Sequence, residues 1–98
     1  MTTHYFSAGL YAKETRIPAG HIAGQHRHTY SHLSILACGS ARLTVDGVST
    51  EYTAPACIEI AANKTHMVTA LTDVTWFCIH ATECTDAEHV DELLIAKG

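Results

Sequence analysis

A row of short, β-prone segments separated only by turn signals restricts the fold of this chain more than any other feature. The segments are rich in Val, Ile, Thr, Tyr and Leu, and they include GLYAKETRI, LSILACGSARLTV, ACIEIA, HMVTAL and VTWFCIHA. Pro18 and Gly20 mark one turn. Asp46-Gly47 marks another. Because both central positions of a type I′ turn need positive φ, this pair between strand-like residues predicts a tight hairpin.

The spacing of these segments predicts an all-β domain. About seven or eight strands follow one another with no helical pattern between them, which argues against parallel strands joined by crossover helices. An antiparallel sandwich or small barrel is the natural arrangement. A chain of 98 residues suffices for one hydrophobic core and not for two, so we expect a single domain over 1–98.

The end of the chain carries a different pattern, TDAEHVDELLIAK. Thr85 and Glu88 have the spacing of a capping box. Apolar side chains then recur at i, i+3 and i+4 intervals, as on one face of a helix. We expect a short amphipathic helix over about 86–96, whose apolar stripe covers either the open side of the barrel or a partner subunit.

Charge and composition exclude several classes of function. The formal net charge is −4 and the pI about 6, so there is no basic face to bind nucleic acid or an anionic membrane. The N-terminus lacks the features of a signal peptide, and no apolar run is long enough to span a membrane. We expect a cytoplasmic protein whose four cysteines are reduced, since none forms a CxxC pair.

Histidines cluster in the stretch GHIAGQHRHTYSHLSILACG, which contains His26, His28 and His32. A His-x-His pair alone is weak evidence for a metal site, because alternate residues of any strand face the same side. The TYS segment can form a tight turn that brings His32 to the same space. On the strand that begins at His32, alternation then puts three further side chains on the same face as His32: Ser34, Leu36 and Cys38. These would form the mostly apolar lining that is typical of a ligand pocket.

His66 lies far away along the chain, at the start of the β-prone segment HMV. A barrel can build a metal site from three ligands on neighbouring strands and one ligand that is remote in the sequence. Neutral imidazole is the commonest metal ligand in proteins. We therefore predict one divalent transition metal per chain, held by His26, His28, His32 and His66.

This arrangement resembles the first motif of the cupin superfamily, which is a Gly, five residues, His-x-His, three or four residues, Glu, six residues and a Gly. Here Gly20 is followed by HIAGQ, His26-Arg27-His28, TYS, His32, LSILAC and Gly39. Every spacing agrees, and His32 stands at the position of the Glu. The resemblance covers about residues 9–82 and implies a double-stranded β-helix, which is a small jelly-roll barrel.

The second cupin motif is a Gly, five residues, Pro-x-Gly, two residues, His, three residues and an Asn. The stretch PACIEIAANKTHMVTA resembles it in part, with His66 in agreement. Asn63 takes the place of the turn glycine, and because Asn tolerates positive φ we expect it to substitute for that glycine. Ala61 and Ala70 replace the Pro and the Asn.

Many cupins hold their metal with three His and one Glu, so His32 in place of the Glu removes one negative charge from the ligands. The metal then keeps its full +2 charge, which makes it a stronger Lewis acid and harder to oxidise. Imidazole ligands suit Zn, Cu, Fe and Ni, and Mn also stays among the candidates because similar small cupins use four His.

Two further residues are candidates for catalysis. Tyr30 lies between two predicted ligands and either acts as an acid or hydrogen-bond donor at the cavity mouth or packs as a turn aromatic on the surface. His80 either supports the ligands, faces the substrate, or is a satisfied histidine at the barrel edge. Four other polar residues are expected at the surface: His4, His21, Glu59 and His89.

Three classes of function remain open. The leading hypothesis is a metal-dependent enzyme that acts on a small organic molecule, with dioxygenase-like cleavage ahead of isomerase or lyase chemistry. The alternatives are a non-catalytic module that binds a small ligand and a barrel that the metal clamps structurally. The apolar runs LSILA and TWFCI need covering in so small a protein, so we also expect a homodimer.

Overall fold

A computed structural model describes residues 1–26 and 31–82 of the chain, with residues 24–26 described by their backbone alone. Within these ranges no helix is long and apolar enough to cross a membrane, and the helix expected over 86–96 lies outside them. The described strands are β1 (Thr2–Ser7), β2 (Leu10–Ile17), β3 (Ile22–His26), β4 (His32–Cys38), β5 (Ser40–Val45), β6 (Val48–Thr53), β7 (Ala56–Ile60), β8 (His66–Ala70) and β9 (Val74–Ala81).

The strands form two antiparallel sheets that enclose the core. One sheet has five strands in the order β1-β2-β9-β4-β7, and the other has four in the order β3-β8-β5-β6. The chain crosses repeatedly from one sheet to the other, so that β7, β8 and β9 belong alternately to the two sheets. This interleaving is that of a jelly roll, and the predicted all-β double-stranded β-helix is confirmed.

The expected turn chemistry is also confirmed at two places. β5 and β6 pair as far as Val45↔Val48, and Asp46 and Gly47 between them both have positive φ, 47° and 84°. Asn63 has a φ of 59°, so it adopts the left-handed conformation for which the second motif normally has a glycine.

β1 is an addition to the predicted strands. It pairs with β2 over its whole length, from Thr2↔Thr15 to Ser7↔Leu10. Ala8 and Gly9 both adopt positive φ and close a two-residue turn between them. Ala is disfavoured at positive φ. The pair Ala8-Gly9 is therefore a weaker hairpin signal in a sequence than Asn-Gly or Asp-Gly.

Gly39 marks the place where the chain passes from one sheet to the other. Its φ is 87°, and a Cβ built on it would lie 2.1 Å from the carbonyl oxygen of Asp73. No side chain fits in that space, so only glycine lets β4 end against the β8–β9 connection and continue into β5.

The aliphatic core extends along the barrel as far as the predicted histidine site, since its member Ile60 lies opposite His32. At one end Ile17 of β2 lies opposite Val74 of β9, and at the other end Tyr11 lies opposite His80. The buried apolar side chains form one cluster that includes Ile17, Leu36, Leu43, Ile60, Val68, Val74 and Trp76. Burial of each large aliphatic side chain contributes about 1.5–3 kcal/mol to folding, so the core can support a polar site at the other end.

β4 directs His32, Ser34 and Leu36 into the barrel, as its alternation predicts. Cys38 is exposed, so the expectation that it lines the same face is wrong. The register of β4 against β9 shifts between Leu36 and Cys38. A bulge of this kind reverses the alternation of side chains beyond it.

Candidate metal centre

The structure brings His32 and His66 together at one end of the barrel. His32 begins β4 in the five-stranded sheet, and His66 begins β8 in the four-stranded sheet. Each is only 5% exposed, and their ring centres lie 5.7 Å apart with 55° between the ring planes. Two predicted ligands from opposite sheets therefore meet inside the barrel.

The separation of these two rings fits a shared metal ion. An imidazole nitrogen binds a transition metal at about 2.1 Å, which puts the ring centre about 3.2 Å from the ion. Two rings on one ion then have centres at most about 6.4 Å apart, and the 5.7 Å between His32 and His66 lies within this limit. Both ring nitrogens of His32 and Nδ1 of His66 are shielded from solvent.

His26 joins this end of the barrel through its backbone. In β3 it lies opposite His66 of β8, and the register shifts between Ala23 and His26. Such a shift indicates a β-bulge, a feature that is frequent next to functional sites. The side chain of His26, and all of His28 and Tyr30, lie outside the described residues.

Among the side chains that the structure describes, no group of three or more His, Cys, Asp or Glu is arranged to hold a metal ion. Of the four predicted ligands, the described side chains are therefore His32 and His66. The chemistry of the pair suits a divalent transition metal, because neutral imidazole offers a lone pair without losing a proton.

A third buried histidine lies beside this pair. His80, near the end of β9, is 4% exposed, and its ring centre is 4.5 Å from that of His32 with 30° between the planes. β9 is the central strand of its sheet, so His80 lies in the barrel interior and contacts a predicted ligand. Which of the three roles considered for His80 it fills stays a prediction.

Tyr11 continues the same line of rings across the sheet. It is fully buried and lies opposite His80 in the register of β2 and β9. Its ring centre is 6.0 Å from that of His80 and 5.0 Å from that of Phe6. We call this line the ring row, and it consists of Phe6, Tyr11, His80 and His32, one residue from each of four neighbouring strands.

Sequence reasoning misses Tyr11 and its partner His4. The Tyr11 hydroxyl lies 2.6 Å from Nδ1 of His4, and His4 is half-buried, so its expected place at the surface is wrong. The alternation in GLYAKETRI already puts Tyr11 on one face with Lys13 and Thr15. The missing information is the register that sets this face against His80.

Carboxylates are kept away from the inner face at this site. The five-stranded sheet contains two, Glu14 and Glu59. Glu59 is exposed, as predicted, and Glu14 accepts hydrogen bonds from Tyr5 and Arg16 on the outer face. The inward positions of this sheet near the histidines are therefore free of negative charge, and a bound cation keeps its charge there.

A cleft of about 390 Å³ opens between β2 and β3. The described residues that line it include Lys13 and Thr15 of β2 and Ile22 and Ala23 of β3. Its volume lies within the range of small-molecule sites, and its lining also includes Arg16. None of His32, His66 and His80 is among the described residues that line it, so this cleft is distinct from the histidine cluster.

Comparison with known protein families gives one match. The family model described as "Cupin domain" matches residues 13–80, which is more than half of the chain. No curated protein matches this sequence.

Several solved structures are similar to this chain in fold. A cupin 2 domain-containing protein from Halorhodospira halophila has a TM-score of 0.76 and 16% identity, over 94% of this chain and 73% of that chain. An RmlC-like cupin family protein from Methanocaldococcus jannaschii has a TM-score of 0.73 and 13% identity, over 84% and 79%. A variant of the salicylate 1,2-dioxygenase from Pseudoaminobacter salicylatoxidans, in complex with gentisate, has a TM-score of 0.73 and 14% identity, over 80% of this chain and 24% of that chain.

Proposed function

The chain belongs to the cupin family, and from that premise we propose that it binds one divalent transition metal through His26, His28, His32 and His66. The observation that carries the proposal is the approach of His32 and His66 from opposite sheets, with ring centres 5.7 Å apart. Their burial supports it, since a buried pair of imidazoles is well suited to hold a cation away from water.

His32 decides the charge of the proposed site. It stands where the first cupin motif has a Glu, so all four proposed ligands are neutral and the ion keeps its +2 charge. When bound, the metal supplies Lewis acidity, which such a ligand set enhances. Zn, Cu, Fe and Ni are the ions that imidazoles favour, and Mn remains a candidate.

Metal analysis tests this proposal. Protein purified without a His-tag or a nickel column should contain about one equivalent of a transition metal per chain. His32→Ala and His66→Ala should each lose most of it, because each removes a ligand. His21→Ala is the matched control, since His21 is an exposed histidine outside the pair. Substoichiometric amounts of every transition metal in the unaltered protein would contradict the proposal.

We further propose that the site is catalytic and acts on a small organic molecule, with oxygen-dependent cleavage as the leading reaction. The burial of His32 and His66 supports this, because a site shielded from water strengthens the electrostatic effect of a bound ion on a substrate. In this proposal His80 supports the ligand His32, and Tyr30 donates a proton or hydrogen bond at the cavity mouth. The similarity in fold to a salicylate 1,2-dioxygenase makes this reaction class the first to test.

Oxygen consumption tests the catalytic role. Protein loaded with Fe, Mn or Ni is incubated with catechols, diketones or thiols while dissolved O₂ is followed. Uptake that depends on both the metal and His66 supports an oxygenase. If no metal and substrate combination consumes O₂, oxygenase chemistry is excluded for these substrates, and isomerase or lyase activity is tested next.

A structural clamp is the second candidate, because His32 and His66 belong to different sheets and an ion between them would cross-link the barrel. A ligand present at a hundred times its dissociation constant stabilises a folded protein by about 2.7 kcal/mol. Thermal melting with and without EDTA separates the candidates. A large fall in Tm without any turnover favours the clamp, and little change favours a functional site, either catalytic or for binding a small ligand.

We also propose that the protein is a cytoplasmic homodimer. Leu10 and Leu33 are about half exposed on the outer face of the five-stranded sheet, and a second copy would cover them. Cys38 and Cys57 form no disulfide within the described part of the chain, which suits a reducing compartment. Gel filtration at the monomer position would contradict the dimer.

A further inference from the structure

We propose that Tyr11 and His4 are positioning residues, which fix the imidazole of His80 against His32 and thereby set the orientation of a metal ligand. The inference deepens the proposed metal site and rests on it for the effect on metal binding. The positions of the rings themselves are testable in the metal-free protein. Three successive contacts connect the edge strand β1 to the buried pair His32 and His66.

The first contact is the hydrogen bond between the Tyr11 hydroxyl and Nδ1 of His4, 2.6 Å long. Tyr11 is fully buried, and a hydroxyl at that depth is costly to leave without a partner. The register sets Phe6 opposite Tyr11 and His4 opposite Lys13, so His4 reaches the hydroxyl diagonally across the two strands. The bond therefore holds the far end of the phenol.

The second contact holds the Tyr11 ring in a stack. Its centre lies 5.0 Å from that of Phe6 with 23° between the planes, and 6.0 Å from that of His80 with 18° between the planes. Offset aromatic contacts of this kind favour particular relative orientations. With its hydroxyl held by His4 and one face held by Phe6, Tyr11 presents a fixed surface to His80.

The third contact reaches the proposed ligand. The ring centre of His80 is 4.5 Å from that of His32, and His32 is 5.7 Å from His66. A ligating side chain must be held within about 10–20° of its productive orientation. Because the interior is closely packed, a rotation of His80 has to be accommodated by His32.

The line of contacts begins at a partly accessible place. His4 is half-buried on β1, an edge strand of its sheet. Metal-binding histidines commonly take their orientation from groups around them, and the carboxylates of this sheet lie elsewhere. In this proposal the stacked rings of Tyr11 and His80, with the hydrogen bond between Tyr11 and His4 at their outer end, contribute to that orientation.

Two substitutions test the proposal. Tyr11→Phe keeps the ring and removes the hydroxyl, and His4→Leu removes the hydrogen-bond partner of that hydroxyl. Each should shift the ¹⁵N signals of the His80 and His32 imidazoles in the metal-free protein and lower Co²⁺ affinity by about tenfold, the lower range for residues that orient ligands. The Co²⁺ absorption spectrum should change with them. Since both variants break one bond, the double variant should resemble Tyr11→Phe alone.

Matched controls separate positioning from general damage. Tyr52→Phe removes one hydroxyl from a half-buried tyrosine of the other sheet and should leave both imidazole signals unchanged. Trp76, the single tryptophan of the chain, is 3% exposed, so its fluorescence reports whether the core of each variant is intact.

The outcomes are distinct. Shifted imidazole signals in Tyr11→Phe and His4→Leu, with the core intact and Tyr52→Phe unchanged, support the positioning role. Unshifted His80 and His32 signals in both variants overturn it. If the unaltered protein binds no Co²⁺, the proposed metal function fails, and the imidazole signals still decide whether Tyr11 and His4 position the histidines.

Discussion

Tyr5 and Tyr11 lie on opposite faces of the same sheet and have opposite surroundings. Outside, Tyr5 is 51% exposed and donates a hydrogen bond of 3.0 Å to the Glu14 carboxylate. The Arg16 guanidinium lies 3.3 Å from the other Glu14 oxygen. Inside, Tyr11 is fully buried and bonds to the imidazole of His4. Tyr5 is thus held by the ion pair of Glu14 and Arg16, whereas Tyr11 is part of the ring row.

The difference shows how one sheet separates two kinds of chemistry. Successive side chains of a strand point to opposite faces, so β2 directs Tyr11 inward and Glu14 outward within four residues. The inner face then keeps neutral groups around His32 and His66, which suits a cation. The outer face keeps the Glu14 carboxylate, which Arg16 and the Tyr5 hydroxyl compensate there.

Moving a carboxylate to the inner face should break this separation, and it is the largest effect that we expect. Ser34 is fully buried next to Cys78, so Ser34→Asp should destabilise the fold by about 3 kcal/mol or more at neutral pH. Ser49→Asp is the matched control, since Ser49 is exposed on β6 of the other sheet and the same change there should cost far less. Urea denaturation measures both.

The sign of the pH dependence sharpens that test. Burial raises the pKa of the introduced carboxyl in the folded protein above its value in the unfolded chain. The destabilisation should therefore be fully present above the folded pKa and diminish as the pH falls towards the unfolded value. A loss of stability in Ser34→Asp that stays constant across this range would indicate a packing defect instead of a buried charge.

Removing the two hydroxyls should have unequal effects, of intermediate size. Tyr11→Phe leaves His4 without its hydrogen bond in a half-buried place and should cost about 1–2 kcal/mol. Tyr5→Phe should cost less, because Tyr5 is half exposed and the Glu14 carboxylate keeps its contact with Arg16. Equal losses in the two variants, measured by denaturant unfolding, would contradict the distinction between the faces.

The smallest expected effect concerns the ionisation of Tyr5. Its hydrogen bond to the Glu14 carboxylate, together with the negative charge of that group, raises the pKa of Tyr5 above the ordinary 10.0. The contribution of this bond to stability is therefore present below the ordinary value and is lost as the pH rises through the raised pKa. Glu14→Gln should lower the pKa of Tyr5 in a titration of phenolate absorbance, with Tyr5→Phe identifying the signal. An unchanged titration would show that Glu14 has no influence.

Local rules explain most of what the sequence predicts correctly. Positive φ at Asp46, Gly47 and Asn63 follows from the few residue types that accept it. The inward position of Ser34 and Leu36 follows from the alternation of β4 beginning at His32. These features depend on neighbours within a few residues, so no knowledge of distant contacts is needed.

Features that depend on pairing between distant strands are predicted poorly. The exposure of Cys38 depends on a shift in the register of β4 against β9, which nothing in the run LSILAC indicates. The half-buried position of His4 depends on β1, a strand that ends before an unusual Ala8-Gly9 turn. Here tertiary contacts override a local expectation.

The sequence by itself determined an all-β barrel, its hairpin turns and the spacing of His32 and His66 within two cupin motifs, because alternation, turn chemistry and motif spacing are local properties. Only the tertiary structure decided that Tyr11 lies opposite His80 and that His80 contacts His32. Those contacts join strands far apart in the chain, and their register is set by how two complete sheets pack around one core.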